Sequence, residues 1–174
     1  MSATIDTSDG AVFAALRAWM LAILPTGAEV IMTQDNRVPM PARGTTFVTM
    51  NNVGKTRLST NARSYASSTQ IASDVMATEY QIQIDIYGPA AGEWAQIVQT
   101  LARAVDTSDA WPAGIQMLYA DDPIQLPMIA GEHQFEARWK LQAHIQYNPT
   151  ISQPYQSATV LGVGLAEIDK RFHP

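Results

Sequence analysis

From residue 134 to residue 147 polar and apolar side chains alternate without interruption. Phe135, Ala137, Trp139, Leu141, Ala143, Ile145 and Tyr147 fall on one side, and Gln134, Glu136, Arg138, Lys140, Gln142, His144 and Gln146 on the other. A period of two over such a span specifies a β-strand with one dry face and one wet face. At about 3.3 Å per residue it reaches roughly 46 Å, where a usual strand has about 5–6 residues. The core of one small domain does not easily cover that length. Part of the strand is therefore expected to project and to meet a partner, which points to assembly rather than to chemistry.

The rest of the composition fits that direction. At 174 residues the chain is one domain by length, and 47% hydrophobic residues suffice for a real core. Charged residues make up only 16%, below the roughly one quarter of an ordinary soluble domain. Sparse charge with many Gln, Thr, Ser and Ala suggests surfaces that neighbours later cover. A net charge of −5 argues against a general nucleic-acid coat. With no cysteine, disulfide frameworks and thiolate metal sites are excluded. Asp6 and Asp9 stand where a secretory signal would be positive, and the apolar stretch 11–24 is broken by Arg17. Neither export nor a membrane span is expected, and the protein is expected in the cytosol where it is made.

Helical spacing of Val12, Phe13, Leu16, Trp19, Met20 and Ile23 predicts a first helix, capped by Ser8 or Asp9 and stopped by Pro25 and Gly27. Trp94, Ile97, Val98, Leu101 and Val105 predict a second, starting after Gly88-Pro89. Short strands are expected at residues 29–32, 47–50 and 115–119, with 57–60 pairing to 47–50 across a turn at Asn52-Val53-Gly54. Tyr80, Ile82, Ile84 and Ile86 alternate with Glu79, Gln81, Gln83 and Asp85 as a further strand. Residues 61–73, almost without large apolar side chains, and residues 120–132, with Pro123 and Pro127, read as loops. Two helices can cover only one face of such a sheet. The expected fold is α+β: two layers, a mostly antiparallel or mixed sheet with both helices on one face, and a C-terminal arm. Residues 1–148 form the domain in this reading and residues 149–174 the arm, since Pro149 and Pro154 separate it from the last strong element.

No constellation of residues supports catalysis. Gly54-Lys55-Thr56 ends like a phosphate loop, but Thr49 stands where the first glycine is required and no helix follows. His133 and His144 are too far apart along the chain to converge on one ion, and both read as exposed structural histidines. There is no cysteine and no Gly-x-Ser-x-Gly elbow. Neither catalytic, metal nor cofactor residues are therefore assigned. Trp111 either folds back on the second helix or anchors an interface.

Charge is unevenly distributed. Between residues 36 and 73 stand Arg37, Arg43, Lys55, Arg57 and Arg63 without an acidic residue, whereas from 74 to 136 ten acidic residues face only Arg103. On separate surfaces, these segments would let one copy offer a positive patch to the negative patch of the next, a head-to-tail contact that can close into a ring. Arg37, Arg57, Arg63, Asp121 and Asp122 are the candidate subunit-interface residues. Solvated patches, or a weak DNA contact by the basic loop, are the alternatives.

Leu24-Pro25, Glu29-Val30-Ile31, the run Gln34-Asp35-Asn36-Arg37-Val38-Pro39-Met40-Pro41 and Phe47-Val48 resemble the opening of phage neck or tail terminator proteins. In that family a helix leads into a strand, an Asn-Arg-x-Pro-x-Pro turn and a second strand. The strand at 80–87, the helix start at Gly88 and the strand ending Tyr147-Asn148 also fit, so the resemblance covers most of residues 9–148. It implies a virion structural protein at the head–tail junction, assembled in the host cytoplasm. It also implies a ring of six copies that caps the tail tube, ends its polymerisation and joins the neck or head connector. The implied partners are itself, the tube protein, the connector and a sheath contact, with genomic DNA only passing through the lumen. A head-completion or neck adaptor is the nearest alternative, and a small cytosolic ligand-binding domain or enzyme a more distant one.

Overall fold

The structure, a computed structural model, describes residues 2–33, 39, 41–42, 44–104, 111–129 and 135–156. The chain runs β1 (Thr4–Ile5), α1 (Asp9–Ile23), β2 (Glu29–Met32), β3 (Phe47–Arg57), β4 (Ala62–Ala66), β5 (Ile71–Val75) and β6 (Thr78–Tyr87). There follow α2 (Ala91–Leu101), β7 (Ile115–Ala120), β8 (Ile124–Ile129), β9 (Phe135–Tyr147) and β10 (Thr150–Pro154). A six-stranded sheet has the order β2-β3-β6-β9-β7, with β8 also paired to β9, and a four-stranded sheet has the order β1-β10-β5-β4. Only β2 with β3 is parallel. This is the α+β arrangement expected, with mixed, open sheets.

Both helices form where the apolar stripes put them. The Ser8 hydroxyl accepts from the Ala11 N–H at 3.3 Å and caps α1, while Leu24 in extended backbone ends it. Val12, Phe13, Leu16, Trp19 and Met20 of α1 and Trp94, Ala95 and Val98 of α2 are buried against Tyr80, Ile82, Ile84 and Ile86 of β6. Leu141, Ala143, Ile145 and Tyr147 of β9 complete that dry layer. Each fully buried Ile or Leu contributes about 1.5–3 kcal/mol relative to exposure. The corner from β6 into α2 is made by Gly88, at φ +100°, whose N–H donates to Ala137 O at 3.1 Å. A Cβ there would lie 2.5 Å from Thr45 O and 2.8 Å from Thr46 Cα, so only glycine lets the two backbones meet.

The length of β9 is absorbed by a change of partner rather than by projection. On one edge β6 pairs with residues 138–147; on the other, β7 takes 143–147 and β8 takes 135–140. The stretch 120–132, expected as a loop, thus contains β8, and Pro127 is tolerated because β8 is an edge strand with no outer neighbour among the described residues.

Two further expectations are corrected. No turn interrupts β3 at Asn52-Val53-Gly54; a bulge there adds one residue, and Arg57 pairs with Thr78. Residues 61–73 are not a loop: β4 and β5 form a hairpin that extends β3 and β6, bridged by Leu58 N–H to Ala77 O at 2.9 Å. Main-chain hydrogen bonds define this hairpin, while every residue of β4 is exposed, so no hydrophobic alternation announces it. β10 continues β9 beside β5, and β1 pairs with β10. Residues 157–174, most of the expected arm, lie outside the described residues, as do Arg37, Val105, His133 and most of the turn at 36–41.

Candidate assembly surface

The wet face of the central sheet carries two clusters of side-chain hydrogen bonds. Arg138 donates to Asp85 Oδ1 through Nε at 3.1 Å and Nη2 at 3.0 Å, and Gln83 Nε2 donates to Oδ2 at 2.6 Å. Gln142 donates to Gln81 Oε1 at 3.1 Å, and Gln81 to Glu79 Oε1 at 3.1 Å. His144 is buried, not exposed as its place on a polar face suggested. Its Nδ1 lies 2.5 Å from Glu79 Oε1 and its Nε2 3.4 Å from Asp121 Oδ2, with the Tyr119 ring stacked on it at 4.2 Å. The His144 contact, then that of Gln81, holds the Glu79 carboxyl below the usual range against the opposing effect of burial. Glu79 and Asp121 sit at opposite ends of the imidazole, so they do not converge on one ion. Arg138, Asp85, Glu79 and His144 are thus paired within the face, which makes this part of it polar yet weakly adhesive.

The four candidate interface residues among the described ones fall on two opposite edges. Arg57 ends β3 and Arg63 lies in β4, whereas Asp121 and Asp122 join β7 to β8 beyond the far side of β9. The structure does not bring these groups together within one copy. Arg57 is held by Asn61 and the Met76 sulfur, and Arg63 stacks on the Tyr155 ring at 4.9 Å beside its register partner Asp74. Asp122 accepts from Gln99 of α2 at 2.8 Å. Lys55, expected in the same basic patch, pairs with Asp9 at 2.6 Å. Trp111 is buried in the core that both helices share and packs on Trp19 of α1 at 5.9 Å, rather than at a surface.

The small sheet carries side chains that the sequence reading missed. By strand register, Arg63, Tyr65, Ala72, Asp74, Ile151, Gln153 and Ile5 lie on one face, and it is the same side that the helices cover further along. Here no helix of the described residues covers it, and Ile5, Ile151, Tyr65 and Tyr155 are 40% or more exposed. Tyr65 and Tyr155 meet edge to face at 6.2 Å. The signal was present but faint: Tyr65 and Ile71 are the large side chains in an otherwise small-residue segment.

No curated protein matches the sequence. Among solved structures the chain is similar to the sheath/tube terminator of an extracellular contractile injection system (PVC) in the extended state. Identity is 10%, the TM-score is 0.49, and the match covers 94% of this chain and 65% of that one. The chain therefore spans less than two thirds of the length of that protein. The model of the phage neck terminator protein family matches residues 10–172. With nearly its whole length matched, the chain belongs to the phage neck terminator proteins, a family of bacteriophage virion proteins.

Proposed function

We propose that copies of this chain close into a ring of six that caps the phage tail tube, stops its polymerisation and joins the tail to the neck or head connector. The observation that carries the ring is the separation of charge across the sheet. Arg57 and Arg63 stand at one lateral edge and Asp121 and Asp122 at the other, out of mutual reach within one copy. Such a surface satisfies itself only head to tail, the geometry of a closed ring. Arg37 belongs to the same proposed contact. Both edges also present strands without an outer neighbour among the described residues: β3 past Met50, β4, β7 and β8.

The wet face suits the lumen. Arg138 and His144 have carboxylate partners, and between them stand glutamines bonded to one another. Phosphate binding gains from releasing counterions by free cations, so a wall that ties up Arg138 and keeps Lys140 as its other long cation on β9 holds passing DNA only weakly. The role is mechanical and uses no cofactor. The ring forms in the host cytoplasm and works in the virion, with the tube protein, the connector and a sheath contact as partners. Residues 1–148 form its body; of the arm from residue 149, β10 stays in the copy's own small sheet and the part beyond it reaches a neighbour.

Light scattering and negative-stain imaging of the purified protein, alone and with isolated tail tubes, test the proposal. Rings that bind tube ends and block further addition of tube protein are the expected result. A monomer at high concentration overturns the ring, and rings that bind only the head vertex support the neck-adaptor alternative instead.

A further inference from the structure

The sheet outruns its cover. From β5 into β6 the strand path spans residues 71–87, about 56 Å at 3.3 Å per residue. The 15 residues of α1 are about 22 Å long and the 11 residues of α2 about 16 Å, at 1.5 Å per residue. Antiparallel sheets tolerate a wet face, but the side left bare by the helices carries Tyr65, Tyr155, Ile151 and Ile5 among the polar Arg63, Asp74 and Gln153. Two aromatic rings, an arginine stacked on one of them and flanking aliphatic side chains match the composition of the buried centre of an interface.

The same molecule carries a surface that fits this face. The outer side of α2 forms an apolar shelf lined by Gly92, Glu93, Gln96, Ile97, Thr100 and Leu101. Glu93 stands at one end of the helix, and Asp122 is tied to the other end through Gln99. The shelf is therefore apolar along its length and acidic at its ends, whereas the bare face sets Arg63, beside Asp74, among its exposed apolar side chains, with Arg57 at its border. Shelf and bare face cannot meet within one copy, because α2 packs over β9 and β6 with Gly92 against Trp139, whereas the bare face lies past Tyr147 at the other end of β9.

We propose that the bare face of the β1-β10-β5-β4 sheet docks on the α2 shelf of a second copy of this chain. Tyr65, Tyr155 and Ile151 cover Ile97 and Leu101, and Arg63 pairs with Glu93 or Asp122. The face measures roughly 17 Å along its strands by 19 Å across them, about 320 Å². That is under half of the roughly 800 Å² per partner of a stable two-body interface. One such contact is too small for a lone dimer, but in a ring every copy makes two. The contact thus deepens the ring reading and rests on it.

Sedimentation velocity and light scattering on four proteins decide the matter: wild type, Tyr65→Ser, Arg63→Glu, and Arg63→Glu combined with Glu93→Arg. All substituted positions are exposed, and monomer melting temperatures verify that folding is kept. Tyr65→Ser and Arg63→Glu are expected to raise the concentration needed for ring formation about tenfold or more, and Glu93→Arg to restore it in the double variant. Rings unaffected by Tyr65→Ser and Arg63→Glu overturn this contact while leaving the ring intact. Rings that form normally in Tyr65→Ser but no longer bind tubes also overturn it, because the face then belongs to the tube protein. A wild type that never assembles overturns the ring and this contact together.

Discussion

Removing the guanidinium of Arg138 and removing the carboxylate of Asp85 should cost the protein different amounts, although the two groups form one pair. The side chain of Asp85 is 1% exposed and that of Arg138 is 28% exposed. At 3.0 Å the attraction is about 5 kcal/mol with an effective dielectric of about 20, part of which is cancelled by desolvation of the carboxylate. Arg138→Met leaves Asp85 buried with Gln83 as its remaining side-chain donor, and stranded buried charges of this kind cost roughly 3–5 kcal/mol. Asp85→Asn leaves an arginine that swings into water, at about 1–2 kcal/mol for the lost charged hydrogen bonds. Replacing both, as Asp85→Leu with Arg138→Met, removes the burden of the buried charge and should recover much of the loss. Urea unfolding of the wild type, both single variants and the double variant gives all the terms at pH 7. Equal losses in the two single variants, or a double variant as weak as the sum of the singles, would refute the reasoning, because the exposure of each partner would then not govern its cost.

Three other outcomes follow from single residues. Because the folded-state pKa of Glu79 is depressed, its contribution is present above the unfolded value near 4.5 and is lost as pH falls through the folded one. Melting curves between pH 7 and pH 3 should therefore fall more steeply for the wild type than for Glu79→Gln, and parallel profiles would remove the His144–Glu79 contact from the stability of the fold. Gly88→Ala forces a Cβ against Thr45 O at a φ of +100°, for a loss of roughly 2–4 kcal/mol by denaturant titration; a neutral substitution would mean that the corner yields freely. Ser8→Ala removes the cap of α1 and should cost about 1 kcal/mol, whereas Ser8→Asp should keep most of it, and equal stability of all three proteins would show the cap to be idle.

What could be read from residue order was whatever buries a side chain. Both helices, the dry strand at residues 80–86 and the strand ending at Tyr147 have apolar periods, and each formed where its period placed it. β4 and β5 have no such period because β4 buries nothing and β5 buries only Ala72; the hairpin exists through its main-chain ladder and its continuity with β3 and β6. β8 was hidden by Pro127, a residue that argues against a central strand and says nothing against an edge. His144 read as exposed since its neighbours in sequence are polar, but Glu79 and Asp121, which enclose it, come from 65 and 23 positions away. The five candidate interface residues could be named from their signs alone. That Arg63 would stand beside two tyrosines, and Asp122 beside α2, depended on the register of strands with no apolar signature.

The long hairpin from Phe47 to Tyr87 also sets an order of events for folding. Pairing Arg57 with Thr78 first would close a loop of about 20 residues, whereas the turn between β4 and β5 closes about 4, a difference of roughly 1.4 kcal/mol in loop entropy. That is about a tenfold advantage in rate for starting at the turn and zipping inward. Once β4 and β5 are paired, Leu58 and Ala77 are already adjacent, and β3 and β6 are delivered in register before any helix docks. The element that stands furthest from the core is then the first part of the long hairpin to form, and the alignment of the central strands is inherited from its tip.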